Sequence, residues 1–473
     1  MVSIRHRGWA QLGAITLIVA GLFGSVSGRL LWAQGAGGGG QNQQNVQQAG
    51  VAIDAEGFLR LRTFPDPTGA LTRQRMAEAA ARLEPDLARP SPLRKISLNR
   101  LEAALAVRLA SGQAETDEMR YLAGLTRITH VFYYPETRDV VIAGPAEGFF
   151  VDLSGRPIGI RSGHVVMELA DLVAALRAFP PSGKRTSLIG CSIDPDPEGL
   201  QRLQQFLGRV GRNVSRVGVD RLVAEMKQVL GPQRVTVSGV SDKTHFAQVL
   251  VEADYRMKLI SIALERPPVD IGSYAERALR RGAARNALAR FYLTPNYECV
   301  RVSEDGLAMR LEGEAVRLMT EQELITAQGQ RVQTGGADPS AEAFARAFTE
   351  HYPALAARVP VFAQLRNLID LSIAAAFIQQ QDYYSQADWY LGIWADESGY
   401  AIETGQAPKM VESAVNVLWR GNLLMTPIGG GVNIQPRLAL QPERLLPDEG
   451  AQVAKVRPES APVQLKPSQW WWD

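Results

Sequence analysis

Cysteine is the scarcest informative residue in this chain: two among 473 positions, Cys191 and Cys299. That number rules out a disulfide framework and a cysteine-rich zinc site. The five histidines are scattered, with no His-x-x-x-His or His-Glu-x-x-His pair, so a zinc hydrolase motif is missing. No Gly-x-Ser-x-Gly elbow occurs. The longest glycine run, Gly37 to Gly40, has no strand before it and no Gly-Lys-Ser/Thr after it, which excludes a phosphate loop. Charge of one sign is also lacking. A formal net charge of +2 favours neither nucleic acid nor a strongly acidic partner.

The amino terminus carries an address. Arg5, His6 and Arg7 precede the apolar run Leu12 to Val26, which is closed by Arg29 and falls short of the roughly 20 residues that span a bilayer comfortably. A cleaved secretory signal over residues 1–33 is the first expectation, with cleavage after Ala33 or near Val26-Ser27-Gly28. An uncleaved amino-terminal anchor is the second. Either places the folded part outside the cytoplasm, in the periplasm or beyond the cell. Residues 34–49, rich in Gly and Gln, contain no apolar period and read as a flexible linker.

Length argues for two folded units plus tails. Four stretches repeat one grammar, an apolar run, a turn and a second run. Their turns are Asp54…Gly57, Asp152…Gly155, Ser303…Gly306 and Asp396…Gly399. Asp or Ser at the first position accepts a backbone hydrogen bond, and Gly at the fourth takes positive φ, so four β-hairpins are expected. The main sheet is expected within 122–199. Leu98, Leu101, Leu105 and Leu109 fall on one helical face behind a cap at Ser97 or Asn99. Leu169, Leu172, Val173 and Leu176 mark another helix, and 187–193 a strand. Asp196 and Pro197 open a third helix, and Leu222–Leu230 stops at Gly231-Pro232. Helices are too frequent for a sandwich, so the fold class is α+β: a mixed sheet with hairpins flanked by amphipathic helices. A first domain over 50–267 and a second over 268–436 are expected, divided softly at Pro267-Pro268. The second contains a long helical region, 341–384, whose last helix is mostly buried. The Pro-rich segment 437–473 is expected to be disordered.

Few residues invite a functional reading. Cys191, in the apolar phrase IGCSIDP, is a nucleophile only with a lowered pKa and a histidine such as His130, His164 or His245. The plainer readings are a buried thiol or a pair with Cys299. Asp194, Asp196 and Glu198 alternate in DPDPEG and could offer oxygens to a cation, though acidic residues at a helix start serve the dipole equally well. Arg277, Arg280, Arg281, Arg285 and Arg290 form the one basic run, either a solvated helix face or a contact for phosphate, lipid or an acidic polymer. Trp470, Trp471 and Trp472 could seat in a membrane interface or a partner groove. No cofactor and no nucleic acid is expected.

The phrases GCSIDPDPEGL (190–200) and VLVEADYRMKLI (249–260) resemble an exported planctomycete family catalogued as domain of unknown function 1598. KISLNRLE, LAGLTRI and AGPAEG extend the likeness, as do PVFAQLRNLIDLSIAAAFI (360–378) and GGGV (429–432). The resemblance implies export and a shared fold, and no reaction. The functional expectation is therefore a non-catalytic binding or structural component of the cell envelope, its partner an envelope protein or polymer. The alternatives are a secreted hydrolase using Cys191 with a histidine or the acids around Asp194, and a peripheral membrane protein.

Overall fold

The hairpin turns act as local templates. In a computed structural model, residues 48–473 are described apart from 55, 183–185, 211–218, 282–286, 315, 326–330, 334–337, 414–415, 420–422, 426–427, 463–464 and 467. The expected signal segment and nearly all of the linker lie outside these residues. The described chain starts in strand, β1 (Gln48–Ile53), so Gln48 and Ala49 belong to the fold rather than the linker. β1 pairs antiparallel with β2 (Leu59–Phe64) around Gly57 at φ 86°, whose N–H donates to the Asp54 carbonyl at 2.9 Å.

α1 (Ala70–Arg82) and α2 (Pro85–Ala88) lead to β3 (Ser91–Ser97), which turns directly into α3 (Leu98–Ala110). Ser97 is the cap, its hydroxyl accepting from the Arg100 N–H at 3.4 Å, and Leu98, Leu101 and Leu105 are buried. After α4 (Asp117–Arg120) come β4 (His130–Tyr134), β5 (Asp139–Ala146) and the second hairpin, β6 (Phe149–Val151) with β7 (Pro157–Gly159). Then follow α5 (Leu169–Ala178), β8 (Ile189–Pro195), α6 (Pro197–Val210), α7 (Val219–Leu230) and β9 (Gln233–Ser238). α8 (His245–Ser261) ends inside the apolar run 257–264, and α9 (Tyr274–Arg281) follows the double proline.

Beyond it lie β10 (Ala287–Pro295), the third hairpin β11 (Val300–Val302) and β12 (Ala308–Leu311), β13 (Val316–Ile325) and β14 (Arg331–Gln333). The expected helical region is four helices: α10 (Pro339–Glu350), α11 (Tyr352–Ala356), α12 (Pro360–Gln380) and α13 (Tyr383–Gln386). α12 is long and apolar enough to cross a membrane, yet it is almost wholly enclosed by the rest of the chain and reads as a core helix. β15 (Met410–Val411), β16 (Val417–Trp419), β17 (Leu423–Met425), β18 (Ile428–Ile434), α14 (Pro436–Ala439), α15 (Gln452–Glu459) and β19 (Trp471–Trp472) complete the order.

The fold is α+β, with two large sheets rather than one main sheet inside 122–199. One runs β14-β13-β10-β18-β8-β9-β15, the other β11-β12-β4-β5-β3-β19. Every neighbouring pair in them is antiparallel except β10 with β18. α8 packs on β8 and β18, and α12 packs in turn on α8 and α5.

Four expectations are corrected. Asp396…Gly399 is not a hairpin: the Asp396 carboxylate accepts from the Ser398 and Gly399 N–H groups, and no strand flanks the turn. The soft boundary between 50–267 and 268–436, which left a packed interface or a continuous sheet open, is crossed by both sheets, since β8 pairs with β18 and β4 with β12. Pro267-Pro268 is a local stop after α8 and carries no information about strand pairing. β10 and β13, paired over nine positions, fall where no strand pair was expected.

The fourth correction is the tail, which is structured. Along β4 and β5, Val131, Tyr133, Val140 and Ile142 belong to the main core, while Phe132, Tyr134, Val141 and Ala143 form a second one with Val453 of α15. The period of two puts these sets on opposite faces, so the tail supplies the cover for the second face. β19 then pairs with the edge of β3. Arg94, fully buried, donates to the Asp473 carboxylate at 2.8 and 3.1 Å and to the Asp86, Leu87, Arg89 and Ala123 carbonyls. Its guanidinium lies 4.6 Å from the centroid of the Trp471 ring.

Candidate functional site

The two halves of the expected nucleophile pair lie in different clusters. Cys191 sits on β8, opposite Val432 of β18, and is buried. Burial, and then the charge of Asp254, push its thiol well above the ordinary value. A thiolate is therefore disfavoured, the opposite of what a nucleophile needs. Its neighbours are Asp254 and Lys258 of α8. The Lys258 ammonium donates to Asp254 at 2.7 Å and lies 3.4 Å from the Gly430 carbonyl, all of it buried. Cys299 is a second buried free thiol, pushed by burial to about 12; of the two plain readings, a buried thiol or a pair with Cys191, the buried thiol is the one found.

His245 opens α8, behind a cap in which Thr244 accepts from the Ala247 N–H at 3.3 Å. Asp254 is nine residues further on, roughly 13 Å along the helix at its normal rise. The His245 Nδ1 is 2.9 Å from Asp171 of α5, and its Nε2 is 3.6 Å from Glu168. Gln364 of α12 places its amide nitrogen 3.3 Å from Nε2 and accepts from Arg156 at 2.8 Å, and Arg156 in turn donates to Glu252 at 2.6 Å. Burial alone would lower the imidazole, but the Asp171 and Glu168 carboxylates outweigh it and hold it at about 10. Such an imidazolium is already protonated at neutral pH and cannot serve as a general base. The cavity beside it, between Glu168, Asp171, Gln364 and Asn367, is about 10 Å³. That is room for one water at most. His130 is buried in β4, and burial lowers it to about 4; His164 is exposed.

The acidic triplet does not converge. Asp194 is half-buried on β8, Asp196 meets Arg234 at 3.3 Å, and Glu198 is exposed with Arg202 3.8 Å away. Among the described residues no three His, Cys, Asp or Glu side chains are grouped to hold a metal ion. The arginine run divides as well. Arg277 donates to the Ile271 carbonyl, Arg280 and Arg281 are exposed at the end of α9, and Arg290 is buried in β10 beside the Tyr292 ring. Arg285 lies outside the described residues. The three tryptophans find partners within the chain: Trp470 is buried, the Trp471 indole donates to Glu118, and that of Trp472 to the Ser460 carbonyl at 3.2 Å.

A cleft roomy enough for a ligand lies elsewhere among the described residues, at the β15 end of the seven-stranded sheet. About 400 Å³ in volume, it is lined by Phe58, Ala224, Lys227, Gln228, Gly231, Pro232, Glu412 and Ser413. That falls within the roughly 300–1,000 Å³ of small-molecule sites. Three separate segments build it. The tip of the first hairpin supplies Phe58, held because the Gly57 carbonyl accepts from the Lys409 and Met410 N–H groups at 3.0 and 3.2 Å. α7 supplies Ala224, Lys227 and Gln228 and ends at Gly231, whose φ of 73° turns the chain into β9. The segment after β15 supplies Glu412 and Ser413. Each Glu412 oxygen has its own cation, Arg60 on one and Lys227 on the other. Lys227 first, then Arg60 against the cost of burial, hold that carboxyl below its usual range. The Ser413 hydroxyl donates to the Gly231 carbonyl, and its residue is buried.

Sequence reasoning singled out none of Phe58, Lys227 and Glu412. The signals present were the Asp54…Gly57 turn and the Gly231-Pro232 stop, each read as architecture. The cleft presents an aromatic wall, N–H donors and a carboxylate with a cation on each oxygen.

Against this geometry, residues 191–274 match the family model described as protein of unknown function, DUF1598. The match runs from Cys191 in β8 to Tyr274, the first residue of α9. It includes α7, one wall of the cleft, and Lys258, Asp254 and His245 of α8, while Asp171, Gln364, Gly430, Phe58 and Glu412 lie outside it. No curated protein and no solved structure matches the chain.

Proposed function

We propose that this is an exported, non-catalytic binding protein of the cell envelope that holds a small molecule between its first hairpin and α7. The observation carrying the reading is the cleft of about 400 Å³ lined by Phe58, Lys227 and Glu412. It combines an apolar body with a few fixed polar groups, as ligand sites do. Its carboxylate is held by a cation on each oxygen and its one hydroxyl donates to a main-chain carbonyl, which favours groups that orient a guest over groups that attack it. Export rests on the basic n-region and the apolar run Leu12 to Val26.

Purification of the native full-length protein from the envelope or medium, followed by unfolding and mass spectrometry of what is released, tests the reading. A small molecule should be released from the native protein and be absent from Ala224→Trp, which fills the cleft from an exposed helix position. Equal release from both proteins, or an empty native protein, overturns the binding role. Recovery solely from the cytosol overturns export.

A further inference from the structure

The distribution of hydrogen-bonding capacity around the cleft assigns a charge and a shape to its guest. Glu412 is the acidic group in the lining, and its acceptor oxygens are both engaged, Oε1 by Arg60 and Oε2 by Lys227. Arg60 commits two of its five N–H donors, Nη1 to Glu412 and Nε to Asp54 at 2.9 Å, and its guanidinium lies 5.5 Å from the centroid of the Phe58 ring. Lys227 is different. An ammonium carries three donors, and one of them goes to Glu412. The side chain is also 31% exposed. Next to Lys227 on α7, Gln228 is exposed and adds an amide with two N–H donors and one acceptor oxygen. Unused N–H donors therefore outnumber unused acceptors, and the one carboxylate already holds two cations. A cationic guest would have to compete with two cations for one carboxylate, and an anionic guest would not.

The apolar side sets the rest of the guest. Phe58, Ala224 and Pro232 make a short hydrophobic wall facing those donors. We propose that the cleft binds a small amphipathic carboxylate, its apolar body against Phe58 and Pro232 and its carboxylate on the Lys227 ammonium. Charge-assisted hydrogen bonds of this kind are about twice as strong as neutral ones. The assignment rests on the binding role proposed above and adds the ligand class.

Titration calorimetry of the full-length protein with three probes tests it: phenylacetate, benzylamine with a similar ring and the opposite charge, and acetate with the charge and no ring. Phenylacetate should bind saturably, benzylamine should give no saturable heat, and acetate should bind at least about tenfold more weakly, equivalent to 1.4 kcal/mol. Lys227→Met should weaken phenylacetate by about tenfold or more while Glu412 keeps Arg60. Phe58→Ala should weaken it similarly, and unchanged thermal melting of both variants shows that the fold is intact. Benzylamine binding as tightly as phenylacetate and depending on Phe58 overturns the carboxylate class but leaves the cleft a binding site. Phenylacetate binding that ignores Lys227→Met likewise overturns the class. Binding of every probe unaffected by both Phe58→Ala and Ala224→Trp overturns the class and the binding role together.

Discussion

At the scale of single residues, charge is used for joining. Arg94, Lys258, Arg156 and His245 each tie an element to a distant one through an acidic partner or carbonyls, and the first three are buried. Removing one partner of such a pair strands the other in a poorly solvated place. The His245 cluster makes this testable by pH. Its imidazole faces Asp171, Glu168 and, further off, Arg156, and stands at about 10 against 6.5 in an unfolded chain. A folded-state value above the unfolded one means that the stabilisation is complete below about pH 6.5 and is lost as pH rises through about 10. His245→Gln should cost about 2 kcal/mol at pH 6, typical of hydrogen bonds to charged groups. The difference from wild type should shrink towards zero above pH 10. Urea unfolding of both proteins at pH 6, 8 and 10.5 measures it; a gap that is constant across the series rules out the imidazolium.

At the scale of elements, what was legible in the sequence was whatever is decided within a few residues. Three Asp/Ser-x-x-Gly turns form hairpins because donor, acceptor and the glycine at positive φ are all local. The Ser97 cap, the Leu98–Leu101–Leu105 stripe and the Gly231 stop are equally local. The fourth turn shares the chemistry and forms no hairpin, because strands also need partners and none flanks it. The cleft was illegible for the same reason: Arg60 and Glu412 are 352 residues apart, and Lys227 and Glu412 are 185 apart. The tail was misread because its low apolar content was weighed without Arg94 and the second face of β4 and β5. Between these cases stands Gly429-Gly430-Gly431, three residues without a Cβ whose neighbour in space nothing local reveals. It is β10: a Cβ on Gly430 would lie 1.7 Å from the Phe291 carbonyl oxygen, at φ 128°. β10 and β18 form the one parallel pair in the large sheets, and they join the two halves of the seven-stranded sheet. Gly430→Ala must push these strands apart, and a cost of about 3 kcal/mol or more is expected from overpacking and strained backbone combined. Thermal melting should show it as a loss of several degrees. Gly155→Ala, at φ 90° with open space around the new methyl group, controls for the backbone effect alone. Equal losses in the two variants would remove the close-approach account.

At the scale of the whole molecule, the chain is joined by pairing that ignores sequence order. β8 and β9 hydrogen-bond into a sheet whose other strands all come after Pro268, and β4 is flanked by β5 and by β12 from the later half. α8, from the earlier half, packs on β18 from the later, and its buried Lys258 ammonium reaches the Gly430 carbonyl. A fragment of residues 48–267 would therefore keep the β8–β9 and β4–β5 pairs but expose a long unpaired edge on β8 and another on β4. It would also strip the apolar cover of α8. Exposed edges and an uncovered apolar face are the conditions for aggregation. The expected outcome is that 48–267, expressed alone, gives no cooperative melt by circular dichroism and elutes as aggregate. The full-length protein should unfold in one calorimetric transition whose calorimetric and van't Hoff enthalpies agree. Co-expression of 48–267 with 268–473 should recover soluble material, because both sheets can then be completed between the two pieces. A soluble fragment that melts cooperatively by itself would show that the sheet pairings across Pro267-Pro268 are dispensable, and would restore a domain boundary there.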